Sequence, residues 1–268
     1  MQLKIKLSDS EKKFVNSKLP ELDKIYDTII SFNPDIISIA LRTESTVPIA
    51  SICLHDCLDT LEESKYALSW AYYYKIMYEK TNENFERMKI ISHIKYFSDD
   101  VALRTYSSAE HLANSIVSMY QISKEKIKPY SKKGISLAIK VGKYLIDQNP
   151  NLPITKAIKE LINSNDWCET IRYRNEWVHN QPLRINDQGF IYKRKSRWIK
   201  IKDGEKNIKL LHFGGNDEYD LTADELLGFV TSALHLITNT LKVTANEYRK
   251  LLESHGIKFT EKGISFKM

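Results

Sequence analysis

The stretch Asp166-Trp-Cys-Glu-Thr-Ile-Arg-Tyr-Arg-Asn-Glu-Trp-Val-His-Asn180 decides how the rest of this chain is read. It closes a helix, or a pair of helices, spanning Ile154 to His179. Upstream, Asn149-Pro150-Asn151-Leu-Pro153 breaks the preceding element. Downstream, Gln181-Pro182 stops it, because a proline pushes the residue before it out of the helical region. Three chemically useful side chains sit at its end: Arg174, Asn175 and His179. At 100° per residue, positions five apart on a straight α-helix stand about 140° apart. Arg174 and His179 therefore do not share one face of a regular helix. Either His179 lies beyond the helix end, or any site that uses both is completed across two copies of the chain.

Outward from this segment the pattern is helical. Ser8 with Glu11 forms a capping box that opens a helix to about Ser17. A second helix follows Pro20, with Leu22, Ile25, Ile29 and Ile30 on one face. Residues 34 to 47 read as a connector. Ile49 to about Tyr78 is a long helix carrying Leu54, Leu58, Leu61, Tyr66 and Tyr73 at helical spacing. Asn82 to Phe97 is another, and Ser98 caps a further one to about Ile122. Pro129-Tyr130-Ser131 starts a helix to about Asp147. Phe190 to Ile201 reads as strand, turn, strand, with 207–213 as a possible third strand. Thr222 with Glu225 is a second capping box. It opens the longest helix, to about Ser254, with Leu226, Val230, Leu234, Ile237, Leu241 and Tyr248 as its buried stripe. Gly256 stops it, and Ile257 to Phe266 forms a small hairpin. The expected fold is mostly α: a helical bundle with a small basic β-hairpin excursion before the last long helix. Residues 1–48 read as an N-terminal helical extension. The helical domain covers 49–255, with the excursion at about 184–215, and 256–268 form a short hairpin or tail.

Composition narrows the classes. The 268 residues are 42% hydrophobic and 28% charged, in the globular range. Nine glycines and seven prolines are too few for a β-sandwich, which needs a turn every 8–12 residues or so. No run of about 18 apolar residues suggests a membrane span, and the charged start carries no apolar stretch of a secretory leader. Three cysteines cannot make a disulfide framework. A cytoplasmic protein without membrane partners is expected. Leu183 to His212 holds nine Lys and Arg against three acids, an excess equal to the net charge of +6 for the whole chain. Phe190, Tyr192 and Trp198 are interleaved with these cations. Cations suit phosphates and flat rings suit bases, so Lys193, Arg194, Lys195, Arg197, Trp198 and Lys200 are candidate RNA contacts. The plainer reading is an edge hairpin kept soluble by its charges.

Arg-to-His spacings of five to seven recur at Arg87/His93, Arg104/His111, Arg172/His179 and Arg249/His255, as short motifs do by chance. These four pairs read as surface helix residues. The pair Arg174/His179 differs: a polar Asn175 follows the arginine, the motif closes a helix, and a long amphipathic helix comes later. It resembles the R-x4-6-H signature of the HEPN superfamily, small helical domains of bacterial toxin–antitoxin, CRISPR and phage-defence systems. The resemblance covers the bundle, about 50–182 and 220–255. It implies a metal-independent endoribonuclease with no cofactor, acting as a homodimer whose two motifs face one cleft, with an antitoxin or defence-system protein as a further partner. Arg174 and His179 would be catalytic, with Asn175 donating a hydrogen bond or orienting His179. Glu110 stands where some HEPN folds place a supporting residue. One toxin branch has a tyrosine just after the histidine, which its antitoxin modifies. Here Asn180-Gln181-Pro182 follows, so that route of control is not implied. Because many HEPN domains have lost catalysis, a non-catalytic dimer binding nucleotide, RNA or a partner protein stays open beside the nuclease. So does a helical interaction protein with an accidental motif.

The chemistry stands without the family. RNA brings its own nucleophile, the 2′-OH. A histidine near neutral pKa can take that proton or supply one to the leaving 5′-oxygen. An arginine can hold the phosphate and its developing charge. Elsewhere, Cys53-Leu-His55-Asp-Cys57 lacks a second pair at zinc spacing and reads as buried helix cysteines. Phe213-Gly-Gly-Asn216 lacks the Lys-Ser/Thr of a phosphate loop. Trp70 with Tyr72, Tyr73 and Tyr74 reads as core or dimer surface.

Overall fold

The structure is a computed structural model. It describes residues 6–41, 45–131, 135–179, 184–186, 189–191, 196–203, 206–213, 221–260 and 263–266, with 176–213 described by backbone alone. Its frame is an antiparallel pair of long helices, α4 (Val47–Lys80) and α5 (Asn84–Met119), joined by a three-residue turn. A third long helix, α10 (Ala223–Ser254), packs against both and against α8 (Pro153–Asn163) and α9 (Asn165–His179). The expected mostly helical fold is observed.

The capping boxes form as the sequence predicts. The Ser8 amide donates to Glu11 at 2.7 Å, opening α1 (Asp9–Lys18), and Glu11 also binds Lys80 Nζ at 2.6 Å, tying α1 to the end of α4. The Thr222 amide donates to Glu225 at 2.8 Å and opens α10. Leu226, Val230, Leu234, Ile237, Leu241 and Tyr248 are all buried, as their spacing predicts. The Tyr248 hydroxyl donates to the Val47 carbonyl at 2.8 Å, and Tyr72 meets Thr231 at 3.0 Å. By length and composition α10 is apolar enough to cross a membrane, contrary to the reading that no stretch is, yet half of that window is buried inside the protein. Gly256, at φ 83°, ends α10, where a side chain would be strained. The hairpin of β6 (Ile257–Thr260) and β7 (Gly263–Phe266) follows, and Phe259 packs on Phe32.

Several expectations are corrected. Residues Pro34–Leu41 form a helix, α3, not a connector: Pro34 takes its first position, where no amide donor is needed, and Asn33 Oδ1 accepts from the Ile36 amide at 3.0 Å. Ser98 does not cap anything. It is buried inside one continuous 36-residue helix, because no glycine or proline interrupts 84–119. In α2 (Asp23–Ile30), Ile25 and Ile29 face the core, as does Leu22 just before it, but Ile30 is exposed. On α4, Tyr66 is exposed and Tyr73 half-buried, and Tyr72 takes the core position. The helix expected from Pro129 begins later: α6 (Lys124–Ile127) and a 3-10 turn (Lys128–Tyr130) precede α7 (Leu137–Gln148), which Ser136 caps. Of the two readings left open for 154–179, the pair of helices is the one observed, broken at Ser164.

The β excursion also pairs differently. β1 (Arg184–Asn186), β2 (Gly189–Ile191) and β5 (Leu221–Thr222) form one small antiparallel sheet. The hairpin proper is β3 (Ser196–Asp203) with β4 (Lys206–Phe213), so Phe190 does not pair with the 196–201 strand. Residues Val15, Leu22, Ile25, Ile29, Phe32 and Ile37 join the same core as α4, α5 and α10, so the described part of the N-terminal segment shares the bundle's interior.

Tyr173 is buried on α9 and its hydroxyl donates to Asp99 of α5 at 2.6 Å, while Lys95 also pairs with Asp99. Burial raises the pKa of Asp99 despite Lys95 and Tyr173, and raises that of Tyr173 further. Removing the hydroxyl in Tyr173→Phe leaves a buried carboxyl short of a donor, and a loss of about 1.5–3 kcal/mol in denaturant unfolding is expected. Glu11 behaves in the opposite sense: Lys80 and the Ser8 cap hold its carboxyl down at about 2, from an ordinary 4.5. Its contribution to stability is full above pH 4.5 and fades as pH falls towards 2. Glu11→Gln should remove that part of the acid-side slope in unfolding curves across this window.

Candidate functional site

Helix α9 is held between α5, α8 and α10, and the Tyr173–Asp99 bond sets its rotation. One residue on, Arg174 lies with its guanidinium carbon 4.2 Å from the centroid of the Tyr106 ring on α5, in the range of a cation–π contact. Arg174 Nη1 donates to Asn175 Oδ1 at 3.0 Å. Its Nε is buried with no hydrogen-bond partner, and no carboxylate pairs with it among the described residues. Among the described residues the guanidinium thus lies over a ring, is tethered at one nitrogen, and meets no carboxylate.

Tyr106 was not legible as a site residue from sequence. Its phenol pKa is raised, first by burial, then by Glu110 one turn further along α5, while Arg174 pulls it back down. Glu110 itself accepts the Leu137 amide at 3.2 Å and the Ala138 amide at 3.3 Å. Those are the free amides of the α7 N-terminus, where a carboxylate is favoured by both hydrogen bonding and the helix dipole. Glu110 is therefore near the site but engaged as a cap, joining α5 to α7.

The backbone of α9 is helical through His179, so His179 is not beyond the helix end. Regular helix geometry places position 179 about 140° round from position 174 and one turn beyond position 175. Structure brings Arg174 and Asn175 together, then, and sets His179 on another face of the same helix. Asn175 engages Arg174 through its oxygen, where the sequence suggested a hydrogen-bond donor or a brace for His179, and Arg174 pairs locally, as one reading of the motif had it.

Of the candidate RNA contacts, Lys193, Arg194 and Lys195 lie outside the described residues. Arg197, Trp198 and Lys200 are on β3, opposite His212, Leu211 and Lys209. Strand alternation groups Trp198, Lys200, Lys202 and Lys209 on one face and Ile199, Ile201, Ile208 and Leu210 on the other.

No family model matches this chain, and no curated protein or solved structure matches it either.

Three of the other Arg/His pairs have their arginines in local contacts. Arg104 pairs with Asp100 and Glu63, and Arg249 with Glu253. Arg87 is less of a surface residue than its spacing suggests: it lies 4.2 Å over the Tyr78 ring with its Nε buried. His93 stacks on Tyr74 at 4.5 Å. Cys57 is buried, with its pKa raised by burial, while Cys53 is half-buried and Cys168 exposed. His55 Nδ1 meets the Ser51 carbonyl at 2.7 Å. Among the described residues no three His, Cys, Asp or Glu side chains gather closely enough to hold a metal ion.

Because Glu110 caps α7, Glu110→Ala should cost about 1–2 kcal/mol of stability, read from chemical denaturation.

Proposed function

We propose that this protein is a metal-independent endoribonuclease of HEPN type, a toxin or phage-defence effector, in which Arg174 and His179 act on a single phosphodiester. The observation that carries the reading is Arg174: a half-buried guanidinium held against Tyr106, tied to Asn175, with its Nε unpartnered. An oriented cation with no counter-charge among the described residues, on a helix that also bears a histidine five residues on, suits a phosphate and its proton transfers.

In this reading His179 takes the proton of the 2′-OH, or supplies one to the 5′-oxygen. The 2′-oxygen attacks phosphorus, the bond to the 5′-oxygen breaks, and a 2′,3′-cyclic phosphate and a free 5′-OH result. Arg174 holds the non-bridging oxygens as charge gathers on them; a planar guanidinium presents two parallel donors to such a pair. Since one copy sets the two residues about 140° apart, two copies contribute to each site in this reading, and the protein is a homodimer. The basic hairpin β3–β4 supplies further phosphate contacts. Asn175 steadies Arg174.

Cleavage of RNA by the purified protein in EDTA tests this. The wild type should leave cyclic-phosphate ends. His179→Ala should lower the rate by about 10²–10⁴ and Arg174→Ala by about 10²–10³. Equal cleavage by His179→Ala and wild type sinks the reading. Arg174 alone can hold a phosphate, so a salt-sensitive RNA affinity lost in Arg174→Ala, without cleavage, would instead identify a non-catalytic binding module.

A further inference from the structure

Among the described strands β3 and β4 pair only with each other, and no described helix packs along either. Each strand, eight residues long, thus has one edge of amides and carbonyls with no strand beside it among the described residues. Two strands alone are marginal in water, and a third strand or a packed face makes such a sheet secure. An edge of this length is also a template for an extended chain that meets it.

The register says what kind of chain suits it. Lys200 stands directly opposite Lys209, and Lys202 shares their face, diagonal to Lys209. Directly opposed residues have their Cβ atoms about 5 Å apart, and like charges so placed destabilise a sheet. The other face differs in kind. Ile199 is opposite Leu210 and Ile201 is opposite Ile208, so four aliphatic residues adjoin. Over both strands five Lys and Arg stand against one acid, Asp203. A phosphate backbone would take the lysines but has no use for the aliphatic face or for the strand edges. A second copy of the hairpin would set lysine against lysine. An extended segment with acidic and apolar residues in alternation matches all three features at once, because alternate residues of a strand fall on opposite faces.

We propose that the β3–β4 hairpin docks an extended acidic segment of a partner protein, which adds to one edge as a third strand. Its carboxylates share the face of Lys200, Lys202 and Lys209, and its apolar residues share the face of Ile199, Ile201, Ile208 and Leu210. In such strand addition the main-chain hydrogen bonds give affinity and the alternate side chains give specificity. The site uses neither Arg174 nor His179, so it holds whether or not the protein cleaves RNA.

Anisotropy of a fluorescein-labelled octapeptide of alternating valine and glutamate, titrated with the full chain, tests it. Two control peptides separate shape from charge: four valines followed by four glutamates, and valine alternating with lysine. Wild type should bind the valine–glutamate alternation about tenfold more tightly than either control. Amide exchange at 196–213 should slow in its presence, because a third strand pairs edge amides that otherwise exchange with water. Lys200→Glu/Lys209→Glu keeps a like-charged pair across the strands, so the demand on the hairpin's own pairing is unchanged. This variant should lose about tenfold in affinity for valine–glutamate and gain as much for valine–lysine. Where it binds neither peptide, the wild-type comparisons still decide. Equal binding of the alternating and block peptides, or no saturation at millimolar peptide, overturns the proposal. So does a double variant that keeps the wild-type preference. Single-stranded RNA bound by wild type and not by the double variant, with no peptide bound, overturns it in favour of a nucleic-acid face.

Discussion

A helix lying on a hydrophobic bed can turn about its own axis at little cost, because apolar contact has no direction. What stops α9 from turning is polar. The Tyr173 hydroxyl must reach Asp99, since both are buried and neither has water to fall back on. Lys95 holds the same carboxyl from the neighbouring turn. That bond fixes the rotation of α9 on α5, and the rotation carries Arg174 onto the ring of Tyr106. Glu110, one turn further along α5, fastens α7 by its free amides. Three helices are thereby registered through one stretch of α5 between Lys95 and Glu110, and the candidate site sits in that stretch.

Local signals carried much of the fold. Both capping boxes needed only a hydroxyl and a carboxylate three residues apart, and both formed. The α10 stripe needed only periodicity on a helix buried along one side. The errors share one cause: a residue with two uses. A proline can end a helix or begin one, and Pro34 begins one because Asn33 stands before it to cap. A serine can cap a helix or hide inside one, and Ser98 hides because nothing on either side breaks the turn. Tyr66 and Tyr73 fit the α4 stripe by spacing, but a stripe says nothing about how wide the buried arc is. The partner helix decides that, and here it chose Tyr72.

The site was legible to the extent that it lies within one helix. Arg174, Asn175 and His179 were found together because their spacing is local. Tyr106 was not, because it is 68 residues from Arg174 in the chain, and only the docking of α9 on α5 joins them. Glu110 was found by position and misjudged in role, because the amides it caps belong to α7, a helix whose start the sequence put several residues too early.

Arg174 also carries an imbalance that bears on function. A buried donor on a charged group without a partner costs about 1–3 kcal/mol or more, and nearby carboxylates could have relieved it. Glu110 does not; its oxygens are turned to the α7 amides. Asp99 does not; it is taken by Lys95 and Tyr173. Both acids are thus committed elsewhere, and among the described residues the guanidinium meets a neutral amide oxygen and an aromatic face. Both of those partners orient a cation without neutralising it. A carboxylate would have stabilised the fold more, and would have closed the arginine to any other anion. The local chemistry around Arg174 thus gives up stability and keeps an oriented positive charge, which is the property a phosphate-handling residue requires.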